Sequence, residues 1–110
     1  MPPLTPPQDC ASMQQLRVQI DKLDRQLIEM LVIRAGYIDR AAELKPGEGL
    51  PARIPDRVEE VVENVRAKAD ATGMDPDLAE RLWRILIDWS IAREERVLGV
   101  GGPHVDAVGS

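Results

Sequence analysis

The chain has 110 residues, a formal net charge of −5, one Cys, one His, three aromatic residues and no Phe. A lone Cys forms no intramolecular disulfide, one Cys and one His fall short of the roughly four ligands of a zinc site, and the acidic balance argues against a nucleic-acid binder. No apolar run approaches the ~20 residues that span a bilayer, and the N-terminus lacks the basic and apolar stretches of a signal peptide, so the expectation is one soluble, cytoplasmic domain without metal or membrane association.

Residues 1–10 are proline-rich and are expected to be disordered or extended. Ser12 suits a helix N-cap, and Gln15 three residues on completes a capping box. From there to about Lys45 apolar residues recur at spacings of three and four: Leu16, Ile20, Leu23, Leu27, Met30 or Leu31, and Ile38. A helix of this extent is roughly 50 Å long. One chain cannot cover it on all sides. Either it pairs antiparallel with the same helix of a second chain, the favoured reading, or it kinks near Gly36 and folds back.

Lys45-Pro46-Gly47-Glu48-Gly49 is read as the stop of this helix. Pro55 suits the first turn of a second helix carrying Val58, Val61, Val62 and Val65, and Gly73 suits its end. Asp75-Pro76 reads as N-cap and first residue of a third helix. Its stripe is Leu78, Leu82, Ile85, Leu86, Trp89 and Ala92, and it ends near Leu98-Gly99. Residues 11–98 thus form a helical domain, and residues 99–110 a flexible tail holding His104, for which no catalytic role is expected. The class is all-α, with one long N-terminal helix and two shorter ones. No strand alternation, internal repeat or phosphate-cradling glycine motif is present.

The inventory lacks a Ser-His-Asp set, a Cys-His pair and a metal cluster. What remains is a set of cations on apolar helices: Arg17, Arg34, Lys45 and Arg57. Taken singly, each is expected to extend its charge to solvent. Arg34 and Lys45, however, are eleven residues apart, about 20° around a helix and roughly 16 Å along it, so their side chains can hold one small anion from both ends. Arg17 lies about 25 Å from Arg34, within reach only if an antiparallel second chain supplies it. Arg57, in the first turn of helix two, adds a bidentate carboxylate binder. Ser90 and Glu94 share a face of helix three. Arg93, Glu95 and Arg96 around Glu94 look like a solvated, ion-paired surface, and spacing alone leaves open whether Glu94 belongs to it.

From Asp9 to Val97 the pattern resembles the all-helical (type II) chorismate mutase family, including its isochorismate pyruvate lyase branch. The likeness rests on Asp9-Cys10, Leu16-Arg17, Ile20-Asp21-Lys22-Leu23-Asp24, Leu27-Ile28, Leu31, Arg34, Tyr37-Ile38, Ala41-Ala42 and Lys45. It continues through Ile54-Pro55-Asp56-Arg57-Val58, Gly73-Met74-Asp75-Pro76 and Ile87-Asp88-Trp89-Ser90-Ile91-Ala92. The resemblance implies an intertwined six-helix homodimer with two sites shared between chains, a small dianionic substrate (chorismate or isochorismate) and no cofactor. It implies that Arg17 of the second chain binds a carboxylate. Arg34 would bind the other carboxylate or the enolpyruvyl group, and Lys45 the ether oxygen and a carboxylate. Arg57 would assist at the carboxylate end, Ser90 would contact substrate, and Glu94 would stand opposite the ether oxygen. Lys45, Glu94 and Arg34 are the expected catalytic groups.

This inventory suits a Claisen rearrangement, which needs a flexible dianion held in a reactive conformer and donors where charge develops on the ether oxygen. Glu94 donates only when protonated. Burial and the ether contact would favour that form and Lys45 would oppose it, so activity is expected to be greater at mildly acidic pH. Two departures favour the lyase branch. Mutases of the family follow the arginine matching Arg57 with Glu and carry Asp three residues before it, where this chain has Val58 and Ile54. Glu94 and Ser90 favour the mutase, which is the leading reading. A helical dimer without catalysis, or a ligand sensor, is the alternative of another class, and the complete cation set argues against it.

Overall fold

The computed structural model describes residues 3–99. It is all-helical: a 3₁₀ turn at Pro7–Asp9, then α1 (Met13–Glu48), α2 (Pro55–Thr72) and α3 (Pro76–Leu98), with no strand among the described residues. The tail beyond Gly99, with His104, lies outside the described residues. The chain divides into two compact units, one up to Gly36 and one from Tyr37. Gly36 itself lies within α1, in helical conformation.

In the first unit, the proline-rich segment is not wholly extended. Pro6 has polyproline-like angles (φ −56°, ψ 146°), and a 3₁₀ turn follows. The segment is tied to α1: the Thr5 N–H donates to Gln19 Oε1 at 2.9 Å, and Lys22 Nζ donates to the Pro3 carbonyl at 3.2 Å. Ser12 caps α1 by accepting the Gln15 N–H at 3.1 Å. Gln15 Oε1 reaches back to the Ala11 N–H at 2.8 Å, one residue earlier than a capping box requires. Along α1 in this unit ten large apolar side chains, among them Leu27, Ile28, Val32 and Ile33, are 40–66% exposed.

α1 does not stop at Lys45 as the sequence suggested. It carries Pro46 in its last turn and ends at Glu48. The proline forfeits one helical bond, that of its own missing N–H. The end is then closed by Gly49 at φ 69°, with the Leu50 N–H on the Lys45 carbonyl at 3.0 Å and the Gly49 N–H on the Pro46 carbonyl at 3.2 Å. This is a Schellman closure, and it needs the left-handed residue that glycine supplies.

In the second unit the expected punctuation holds. α2 opens on Pro55 and closes at Gly73 (φ 89°), with the Met74 N–H on the Ala69 carbonyl at 2.8 Å. α3 opens on Pro76 after Asp75, whose carboxylate accepts the Asp77 N–H at 2.9 Å. α2 and α3 pack together over a small core of Ala52, Val62, Ile87 and Ile91, flanked by Val58, Val61, Trp83 and Leu98. Ion pairs reinforce the hairpin: Arg84 bridges Glu59 on α2 and Glu80 on its own helix, and Arg66 reaches Asp77 and Glu80.

The buried face of α3 differs from the stripe read from the sequence. Ala79, Ile87, Ser90, Ile91 and Glu94 are buried, whereas Leu78, Leu82, Ile85 and Trp89 are 40–67% exposed. The helix therefore has two apolar faces. The chain's own core uses the one richer in small and polar residues, and the stronger periodic stripe faces outward.

Candidate active site

The core-facing side of α3 buries two polar side chains of the second unit, Ser90 and Glu94. Glu94 is 4% exposed, although its neighbours Arg93, Glu95 and Arg96 form a charged run. Burying a carboxylate is costly unless a cation accompanies it. That cation is Lys45, from the last turn of α1, whose Nζ stands 2.6 Å from Glu94 Oε1. The two charges thus form a close, largely buried ion pair. Lys45 Nζ also donates to the Ala52 carbonyl at 2.8 Å. An ammonium has three donors, so the side chain retains capacity for a further acceptor.

Ser90 lies one turn before Glu94, 3% exposed, and its Oγ donates to the Leu86 carbonyl at 2.7 Å. Beside the Lys45–Glu94 pair, Arg93 grips Asp39 through two hydrogen bonds of 2.6 and 3.0 Å, which fastens α3 to the last part of α1. The same guanidinium lies 5.3 Å from the Trp89 ring centroid. It holds the Asp39 carboxyl below its ordinary range by direct hydrogen bonding.

The structure thus brings together Lys45 and Glu94, with Ser90 on the same helix face. Arg57 is exposed in the first turn of α2 and is held by Glu60 at 2.7 Å. Arg17 and Arg34 belong to the first unit: Arg17 is exposed, whereas Arg34 is half-buried, and that burial lowers its pKa. Two contacts and one buried side chain had no local signal in the sequence. The Ala52 carbonyl on Lys45 is a backbone group, the Arg93–Asp39 pair spans 54 positions, and Gln26 is buried at 5% exposure in the middle of α1.

A family model described as Chorismate mutase type II matches residues 16–95. The chain belongs to this family. Among curated proteins, it is 30% identical to the isochorismate pyruvate lyase of Pseudomonas aeruginosa, over 80% of this chain and 86% of that protein. It is 33% identical to the T-protein of Enterobacter agglomerans over 76% of this chain, a match that spans only 22% of the T-protein. It is 23% identical to the chorismate mutase of Methanocaldococcus jannaschii, over 76% of this chain and 85% of that protein.

Two apolar side chains flank the start of α2 near Arg57. Val58 packs against the core of the α2–α3 hairpin, and Ile54 is the half-buried N-cap residue of α2, with no side-chain cap.

Proposed function

We propose that the chain is a chorismate mutase that converts chorismate to prephenate by a pericyclic rearrangement, with no cofactor. The observation that carries this reading is the buried Lys45–Glu94 pair, in which a lysine with a donor to spare meets a buried carboxylate. A fixed ammonium is what the departing ether oxygen requires as the C–O bond breaks, and a buried setting strengthens it. Glu94, when protonated, supplies a second donor to the same oxygen. Ser90 contacts the substrate one turn away. Arg34 and Arg57 bind its carboxylate and enolpyruvyl groups, holding the flexible dianion in its reactive conformer.

Arg17 reaches the site from a second chain in an intertwined six-helix homodimer. The exposed apolar side chains along α1 support such an assembly, as does the outward stripe of Leu78, Leu82, Ile85 and Trp89 on α3. Their burial against a second copy would complete two equivalent sites.

Isochorismate pyruvate lyase activity, giving salicylate and pyruvate, is the second reading. The apolar Val58 and Ile54 favour it, because they stand where family mutases place acids toward the ring hydroxyl. Turnover of chorismate, followed as loss of its absorbance, tests the main reading. Arg34→Ala and Lys45→Ala should each lower kcat/KM by about a hundredfold or more, with far-UV circular dichroism unchanged for Arg34→Ala. A large loss of helicity in Arg34→Ala would assign that arginine to packing instead.

A further inference from the structure

The Lys45 ammonium is held by a loop as well as by Glu94. Its Nζ donates to the Ala52 carbonyl at 2.8 Å, seven residues along the chain, across the connection between α1 and α2. That carbonyl is fixed from both sides. The Ala52 methyl is 4% exposed and sits in the hairpin core with Val62, Ile87 and Ile91. The next residue, Arg53, pairs with Asp88 on α3 at 3.2 Å. A connection with Gly49 and Pro51 is therefore fastened where its backbone accepts from the ammonium of the candidate catalytic lysine.

We propose that Ala52 and Arg53 are positioning residues: they hold the Ala52 carbonyl as a rigid acceptor that aims the Lys45 ammonium. This rests on the reading of Lys45 as the donor to the ether oxygen. One Nζ proton points to the carbonyl and one side of the ammonium faces Glu94, so the direction left for substrate is set by the loop. A lysine side chain has four rotatable carbons and would otherwise sample many directions. Small errors in such aim are costly in a reaction that depends on placement. The buried methyl does the coarse fixing. The exposed Arg53–Asp88 pair does the fine fixing, and its smaller role follows from its exposure.

The test combines kinetics with chemical labelling of the intact chain. The sequence has three lysines, Lys22, Lys45 and Lys68. Acylation of each by an amine-reactive ester is followed by mass spectrometry in the wild type, Ala52→Gly and Arg53→Ala. Ala52→Gly should label Lys45 about tenfold faster relative to Lys68 and lower kcat on chorismate by about tenfold, with KM changing less. Arg53→Ala should move both readouts in the same direction by about twofold to threefold. Labelling of Lys45 that is unchanged in both variants overturns the proposal, whatever kcat does. So does faster labelling with wild-type kcat. Faster labelling at all three lysines together reports unfolding in Ala52→Gly. Arg53→Ala, an exposed change, then decides the question by the same two readouts. If the wild type turns over neither chorismate nor isochorismate, while Lys45 alone labels faster in the variants, the loop's hold on Lys45 stands and the proposed activity falls.

Discussion

Breaking the Lys45–Glu94 pair from its two ends should have unequal consequences for stability. Lys45→Met removes the cation and leaves a carboxylate that is 5% exposed in its side chain, with no other ion pair on it among the described residues. Stranding one member of a buried pair typically costs 3–5 kcal/mol. The Lys45 side chain is 17% exposed, so the pair is not fully dry and the lower end, about 3 kcal/mol, applies. Glu94→Leu leaves the lysine instead. It keeps the Ala52 carbonyl and has a partly exposed ammonium that its long stem can carry to water, so the cost should be about 1 kcal/mol or less. The double change, Lys45→Met with Glu94→Leu, should lie within about 1 kcal/mol of the wild type, because the charged pair gives way to apolar contact. Urea denaturation at one fixed protein concentration measures all four chains. At roughly 1–3 kcal/mol per molar urea, Lys45→Met should lower the midpoint by about 1 M or more. Equal losses for the two single variants would refute the reasoning, as would a Lys45→Met chain as stable as the wild type.

Acid should weaken the ion pairs that α3 makes with its neighbours. Glu59 and Glu80 are held below their ordinary value of 4.5 by hydrogen bonds from Arg84, and Asp39 below 3.8 by Arg93. Groups depressed in this way stabilise fully above those ordinary values and lose that contribution as the pH falls through the depressed ones. Arg84→Met should therefore move the acid-unfolding midpoint seen by circular dichroism to higher pH, and an unmoved midpoint would remove these pairs from the account. Mixing inactive Arg17→Ala and Arg34→Ala chains should restore part of the activity after subunit exchange, since a heterodimer would hold one site with both arginines. No recovery after verified exchange would count against a site shared between chains. Glu94→Gln, a permanent donor, should remove the loss of activity as the pH rises, and an unchanged profile would take Glu94 out of proton donation.

Local chemistry made much of the fold legible. Pro55, Pro76, Asp75 and Gly73 act at the helix ends where their backbone preferences place them. Pro46 misled, because its veto on helix is strong in an interior and weak in a last turn that Gly49 closes immediately afterwards. The α3 stripe misled for a different reason. Periodicity reports that a face wants burial, and it does not report whether the same chain supplies the cover. Leu78, Leu82, Ile85 and Trp89 fit the helical period yet stand exposed, while the buried face includes Ser90 and Glu94, which a hydrophobic pattern passes over. Glu94 illustrates the limit most clearly. Within its charged run it looks like surface, and only the arrival of Lys45 from another helix distinguishes it. That meeting was implied by family resemblance and by nothing in the spacing. The Ala52 carbonyl had no side-chain signature at all.

The central claim is the reaction itself, and product identity tests it most directly. The purified chain is incubated separately with chorismate and with isochorismate, and products are resolved by chromatography with mass detection. The account predicts prephenate from chorismate as the faster reaction. Salicylate and pyruvate from isochorismate, with no prephenate formed from chorismate, would contradict it.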